Sequence, residues 1–220
     1  TYDSSLDANK SRNAMIEACE KDFALVGTSA LFVNNVDDLV SCKDIKGAAT
    51  GLPDFSVLNT EVVHQCSPVT HGINPPILDC DTKDAALQTY RGPLGATKYY
   101  LKKYGKNALH GLYLYPSDLK SAKNSQVPAF TAQQEAGIKQ DATFDVSGRA
   151  QQSAYTPFVQ TLKDNQSTFA RHGGNDAGVI ALMKEAKLQG VDTVEVWDCS
   201  LQCYDKDILA APETEGLYVW

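Results

Sequence analysis

"STFARHGGNDAGVIALMKEAKLQGVDTVEVWD", Ser167 to Asp198, alternates two kinds of pattern. A short run over Thr168–His172 stops at a glycine pair. Asn175 and Asp176 follow, then apolar residues at helical spacing, and then TVEVW, Thr193–Trp197. Runs too short for a helix, set on either side of a helical pattern, predict strand, turn, helix, strand, with the two strands parallel. The glycines let the backbone bend at the strand end, and Asn175 or Asp176 stands where a helix N-cap belongs.

Working outward, the same alternation recurs. Ser11–Cys19 places Ala14, Met15, Ala18 and Cys19 on one helical stripe, and FALVG (Phe23–Gly27) reads as a short buried strand ending in a glycine turn. NNVDDLV offers an Asn or Asp cap for the next helix. LPDFSVLNT, residues 52–60, is preferred as the following strand over the glycine-bearing KGAAT, because Phe55 and Val57 suit a strand better. CSPVTHGINPPILDC, Cys66–Cys80, is too rich in Pro and Gly for a helix and marks the expected lobe boundary. Beyond it come a helix from about Gly92 to Tyr104, a strand over Ala108–Tyr115, a helix ending near Gly137, a strand around Ala142–Val146 and a helix from about Ala154 to Lys163. The predicted class is α/β, with parallel sheets flanked by helices. The chain opens at the close of a strand and stops on the strand-like EGLYVW, which suggests a fragment of a longer protein.

Composition excludes several roles. At 220 residues and 43% hydrophobic, the chain can bury a core, so disorder is not expected. The net charge is -7, with Lys and Arg scattered among the acids, which argues against nucleic-acid and anionic-membrane partners. No apolar run approaches the roughly 18–20 residues that span a bilayer, and TYDSSLDANK lacks the order of a signal peptide. Six cysteines stand at 19, 42, 66, 80, 199 and 203 without zinc-ligand spacing. They read as disulfides of an exported protein or as buried thiols of a cytosolic one. Sequential pairing (19 with 42, 66 with 80, 199 with 203) is one connectivity among several, favoured because each loop closes locally.

In open parallel sheets ligands sit outside the carboxyl ends of the strands, so the turns after FALVG, FSVLNT, LYLY, FARHGG and VEVWD are the places to search. Ser29 follows the first strand, but Leu31 stands where a nucleophile elbow needs glycine, leaving a loop cap or a ligand hydrogen bond. The GGND turn lacks the frame of G-x-G-x-x-G and the Lys of a P-loop. It offers a helix N-terminus with free amides, serving either as a plain cap or as a seat for an anionic group. Tyr115 and Asp198 directly follow their strands, and an Asp there could pair with an ammonium while amides take a carboxylate. Trp197 and Tyr155 are wall candidates, with core packing as their ordinary use. His64, His71, His110 and His172 show no ligand spacing, so no metal and no cofactor is expected. Asn165-Gln166-Ser167 is a formal glycosylation sequon.

The run FDVSGRAQQSAYTPFVQTLKDNQSTFARHGGNDAGVIALMKEAKLQGVDTVEVWD resembles type I solute-binding proteins of bacterial ABC importers, nearest the branched-chain amino acid group. YDSS, FALVGTSA, YRGPLGATKYYLKKYG and EGLYVW extend the likeness over nearly the whole chain. The resemblance implies a two-lobed clamshell: residues 1–72 as a partial N-terminal lobe, 73–215 as the C-terminal lobe and 216–220 as a hinge crossing strand. It implies a non-enzymatic protein, extracytoplasmic (periplasm or cell surface, where a lipid anchor could hold it), that takes a small amino-acid-like ligand between its lobes and delivers it to an ABC-type permease. Ligand contacts implied by matching turns are Ser29, Ala30 and Thr60 from the first lobe, and Tyr115, Asn175 and Asp198 from the second. Ala30-Leu31-Phe32 replaces a serine-rich turn, and Asn175 replaces an aromatic, both departures from the leucine-type pattern. The rival readings are a receptor ectodomain of the same fold and a secreted α/β hydrolase in which Ser29 would react with a serine probe.

Overall fold

The computed structural model describes residues 1–3, 8–30, 33, 35–59, 61–73, 80–81, 94–118 and 120–220. Within it the run quoted above is a strand, a helix and a second strand. These are β5 (Phe169–His172), α7 (Asp176–Leu188) and β6 (Val196–Cys199), with β5 and β6 parallel. Val179, Leu182, Met183 and Ala186 on α7 are buried at the spacing of one helical face.

Residues Gly92–Trp220 form one unit built on a five-stranded sheet of order β4-β3-β5-β6-β7, every neighbouring pair parallel. The other elements are α4 (Gly95–Tyr104), β3 (His110–Pro116), α5 (Lys120–Ala136), β4 (Lys139–Val146), α6 (Thr156–Asp164), α8 (Lys206–Ala210) and β7 (Leu217–Val219). Alternate residues of each strand serve opposite faces. Leu112, Leu114 and Ala170 face Val159, Leu162 and Leu182, whereas Tyr113, Phe169 and Val196 share a core with Tyr100, Phe130 and Ile138. Gly111 is required by close approach, since a Cβ there would lie 1.7 Å from the carbonyl oxygen of Phe169 on the adjacent strand.

Residues Thr1–Arg91 form the other unit. Its described elements are α1 (Ala8–Lys21), β1 (Leu25–Ala30), α2 (Asp37–Val40), β2 (Asp54–Asn59) and α3 (Val62–Gln65), with β1 and β2 parallel. Met15 and Ala18 of α1 pack with Leu39, Leu52 and Val69, and Ala14 and Cys19 complete the partly buried edge of the stripe. Asn35 accepts from the Asp37 amide at the start of α2. Disulfides join Cys19 to Cys42, Cys66 to Cys80 and Cys199 to Cys203, the sequential pairing.

The EGLYVW run contributes β7, the fifth strand of the second unit's sheet. One expectation is revised: the strand read over Phe23–Gly27 is β1, Leu25–Ala30. Phe23 precedes β1 and is 94% exposed. In β2 the inward positions are Asp54 and Ser56, while Phe55 and Val57 point outward. A buried Asp needs a partner, and His64 supplies one with Nε2 2.6 Å from Asp54 Oδ2.

Candidate functional site

The carboxyl ends of β3, β4 and β5 bring three polar turns together. After β3 come Ser117 and Asp118, after β4 Ser147, Gly148 and Arg149, and after β5 Gly173, Gly174 and Asn175. Asp118 Oδ2 accepts from the Ser147 hydroxyl at 2.8 Å and the Gly148 amide at 2.7 Å, tying the first two turns. Asn175 ties in the third: its Nδ2 donates to the Gly148 carbonyl at 3.2 Å, and its Oδ1 accepts from the Gly178 amide at 3.1 Å, capping α7. Among the described residues the amides of Asn175, Asp176 and Ala177 meet no protein acceptor, so this helix start presents N–H donors and partial positive charge. Asp118 and Arg149 stand exposed beside it, and Asp176, the first residue of α7, adds a second carboxylate to the rim.

The basic pair that opens the GGND turn faces inward. Arg171 and His172 are buried, on opposite faces of β5. His172 Nδ1 accepts from the Gly174 amide at 3.1 Å, which places the proton on Nε2, 3.2 Å from the Tyr155 hydroxyl. Burial pushes the His172 pKa down to about 4, so the ring is neutral, and pushes that of Tyr155 up to about 12. Tyr155 is thus a core residue bonded under the turn.

Asp198 lies inside β6 and has no exposed surface. Its Oδ2 accepts from Arg171 at 2.5 Å and Gln133 at 3.2 Å, and its Oδ1 from Tyr100 at 2.9 Å and the Trp220 indole at 2.6 Å. The carboxylate expected to meet a ligand is thus surrounded by four donors within the chain. Burial, reinforced by the Asp198 charge and hydrogen bond, raises the Tyr100 pKa above the ordinary tyrosine value. Trp197 packs into the core on the other face.

Tyr115, the penultimate residue of β3, is half-buried against Phe130, with ring centroids 4.5 Å apart. Lys123 stands 5.6 Å from its ring and bonds both oxygens of Asp145. In the other unit Ser29 is exposed at the end of β1, and Ala30 pairs with Asn59. Thr60 lies outside the described residues. Asp118, Ser147, Gly148 and Arg149 were not singled out from sequence, although each follows a strand in a polar or glycine-bearing turn, the signal that marked Asn175.

Two other features lie near α8. Carboxylate oxygens of Asp176, Asp205 and Asp207 fall within 4.8 Å of one another at the starts of α7 and α8, where negative charge offsets unbonded amides. A groove of 710 Å³ beside β7 is lined mainly by apolar side chains, among them Tyr204, Leu209 and Val219. It lacks the convergent polar groups of the rim.

No family model matches the sequence, and no curated protein sequence matches it significantly. Solved structures do match in fold. A substrate-binding protein of an ABC transporter from Aeropyrum pernix superimposes with a TM-score of 0.66 at 12% identity, over 99% of this chain and 52% of that one. The leucine-, isoleucine-, valine-, threonine- and alanine-binding protein of Brucella ovis, in a closed conformation, gives 0.65 at 12% identity over 93% of this chain and 50% of that one. The chain thus has the fold of type I periplasmic solute-binding proteins and spans about half the length of the structures it matches. Among the described residues no helix is long and apolar enough to cross a membrane.

Proposed function

We propose that the chain belongs to an extracytoplasmic solute-binding protein that captures a small amino-acid-like molecule and passes it to an ABC-type permease, making and breaking no bond. The observation that carries this reading is the rim at the carboxyl ends of β3, β4 and β5. Unbonded amides at the start of α7 suit a carboxylate, and the exposed carboxylate of Asp118 suits an ammonium. Gly148 links the two, since a Cβ built there would lie 3.7 Å from both Asn175 Nδ2 and Asp118 Oδ2. Asn175 and Tyr115 remain the contacts proposed from this unit, with Asp118 taking the ammonium role first assigned to Asp198; Ser29, Ala30 and Thr60 remain those proposed from the other. The fold of the solved matches and the disulfides support an exported binding protein.

The test is isothermal titration of the full-length protein against amino acids, amides and aromatic acids. Saturable heat is expected with at least one α-amino acid and should be abolished by Asp118→Ala. Silence across the panel, or binding indifferent to Asp118, would refute the assignment.

A further inference from the structure

The pooled charge of -7 conceals a local segregation. From Ala85 to Ser117 the sequence carries Arg91, Lys98, Lys102, Lys103 and Lys106 and no acid. Helix α4 displays most of it. Its inner face buries Thr97 and Tyr100, and its outer face exposes Lys98, Tyr99, Lys102 and Lys103, with Lys106 exposed in the turn that follows. Among the described residues no salt bridge engages any of these lysines.

The cations are set around ordered aromatic rings. Lys103 donates to the Tyr218 hydroxyl at 2.8 Å and lies 4.8 Å from the Tyr104 ring centre, while the Tyr104 and Tyr218 hydroxyls are 3.1 Å apart. Tyr218 also meets Tyr100 and Tyr99 at centroid distances of 5.0 and 6.1 Å. Tyr99 is 52% exposed at the centre of the lysines. Tyrosines held in place by mutual packing offer contact area at low entropic cost, and they are enriched at protein interfaces. Among the described residues Glu195 is the acid whose charge reaches Tyr218.

We propose that the α4 face, Lys98, Tyr99, Lys102 and Lys103 with Tyr218 behind them, is a docking surface for the acidic patch of a protein partner. Charge complementarity names the chemistry: the partner presents Asp or Glu carboxylates to a set of ammonium groups that, among the described residues, has no carboxylate partner. A lipid surface fits less well, because among the described residues Tyr99 is the one large hydrophobic that α4 exposes and Lys103 is pinned between rings.

The probe is a short oligoglutamate peptide, compared with oligoglutamine of equal length and with phosphatidylglycerol vesicles, at low ionic strength and on the full chain. Oligoglutamate should bind and oligoglutamine should not. Lys98→Glu/Lys102→Glu should weaken binding about tenfold and Tyr99→Ala about threefold, the latter because an aromatic anchor contributes beyond charge. Carbodiimide coupling of the peptide should concentrate on Lys98, Lys102, Lys103 and Lys106. Coupling spread evenly to other exposed lysines such as Lys43 and Lys184, affinity unchanged in both variants, or vesicles bound as tightly as the peptide would overturn the proposal.

Discussion

Removing the positive partner of the buried ion pair in the second unit should destabilise that unit severely. Arg171 and Asp198 are in register on adjacent strands, 1% and 0% exposed at their side chains, with N and O 2.5 Å apart. With charge centres about 4 Å apart and an effective dielectric of about 20, their attraction is about 4 kcal/mol. Arg171→Met abolishes it and leaves a buried carboxylate with three neutral donors, Tyr100, Gln133 and Trp220. Loss of one partner of such a pair costs about 3–5 kcal/mol, and the surviving donors place Arg171→Met near the lower end. Asp198→Asn strands the guanidinium between the Gln126 amide oxygen at 3.3 Å and the rings of Phe130 and Trp220, for a cost of about 4 kcal/mol. The double variant has no unpaired charge and keeps one carbonyl acceptor, so it should lose only about 3 kcal/mol, giving a coupling of about 4 kcal/mol. Both tryptophans of the chain, Trp197 and Trp220, belong to this unit, so urea melts followed by indole fluorescence report on it selectively. Single-variant costs below about 1 kcal/mol, or a double variant equal to the sum of the singles, would refute the reasoning.

Three further outcomes are expected. Asn175→Ala, which loses the cap on Gly178 and the bond to Gly148, should cost about 1–2 kcal/mol in the same melts, and Asn175→Asp should retain most of the cap. Gly111→Ala should prevent the second unit from folding, seen as lost near-ultraviolet circular dichroism, because its Cβ would meet the Phe169 backbone, which cannot swing aside. Folding lowers the His172 pKa from 6.5 to about 4, so the unfolded chain binds the additional proton between those values. The associated stability is full above pH 6.5 and falls by up to about 3 kcal/mol as pH drops toward 4, a slope that His172→Gln should flatten in melts at stepped pH.

The alternation of strand and helix was legible because apolar period and glycine turns are local signals, and each strand predicted in the second unit is present. What failed was position within the strand. TVEVW was read as ending at Trp197, which left Asp198 just beyond the sheet, whereas β6 starts at Val196 and runs through Cys199. That shift turns a rim residue into an interior one. In β2 the strand was legible from Phe55 and Val57 but its facing was not: Asp54 and Ser56 take the inner face because Asp54 meets His64 from α3. Pairing across elements is invisible to a reading along one strand. The helix cap was narrowed to Asn175 or Asp176 because capping is local, and Asn175 is the one that caps; its bond to Gly148, 27 residues away, is not a local signal.

The misplaced aspartate bears on the rim all the same. Tyr113, Arg171, Asp198 and Tyr218 occupy one register row across β3, β5, β6 and β7. A parallel sheet covered on both faces gives the buried members of that row no water: among the described residues the Tyr113 hydroxyl meets no partner, and Arg171 and Asp198 have only internal pairing open to them. Arg171 and Asp198 satisfy each other, and the bond fixes β5 against β6 two residues before Gly173. Gly173 is held in turn by its amide bond to the Leu114 carbonyl, and a Cβ there would come within 2.9 Å of that oxygen. The turn that carries Asn175 and the unbonded amides thus starts from a backbone clamped on both sides. Substitutions at Arg171 or Asp198 should therefore shift the affinity of the rim for its ligand without either residue touching it, by altering where the helix start is held.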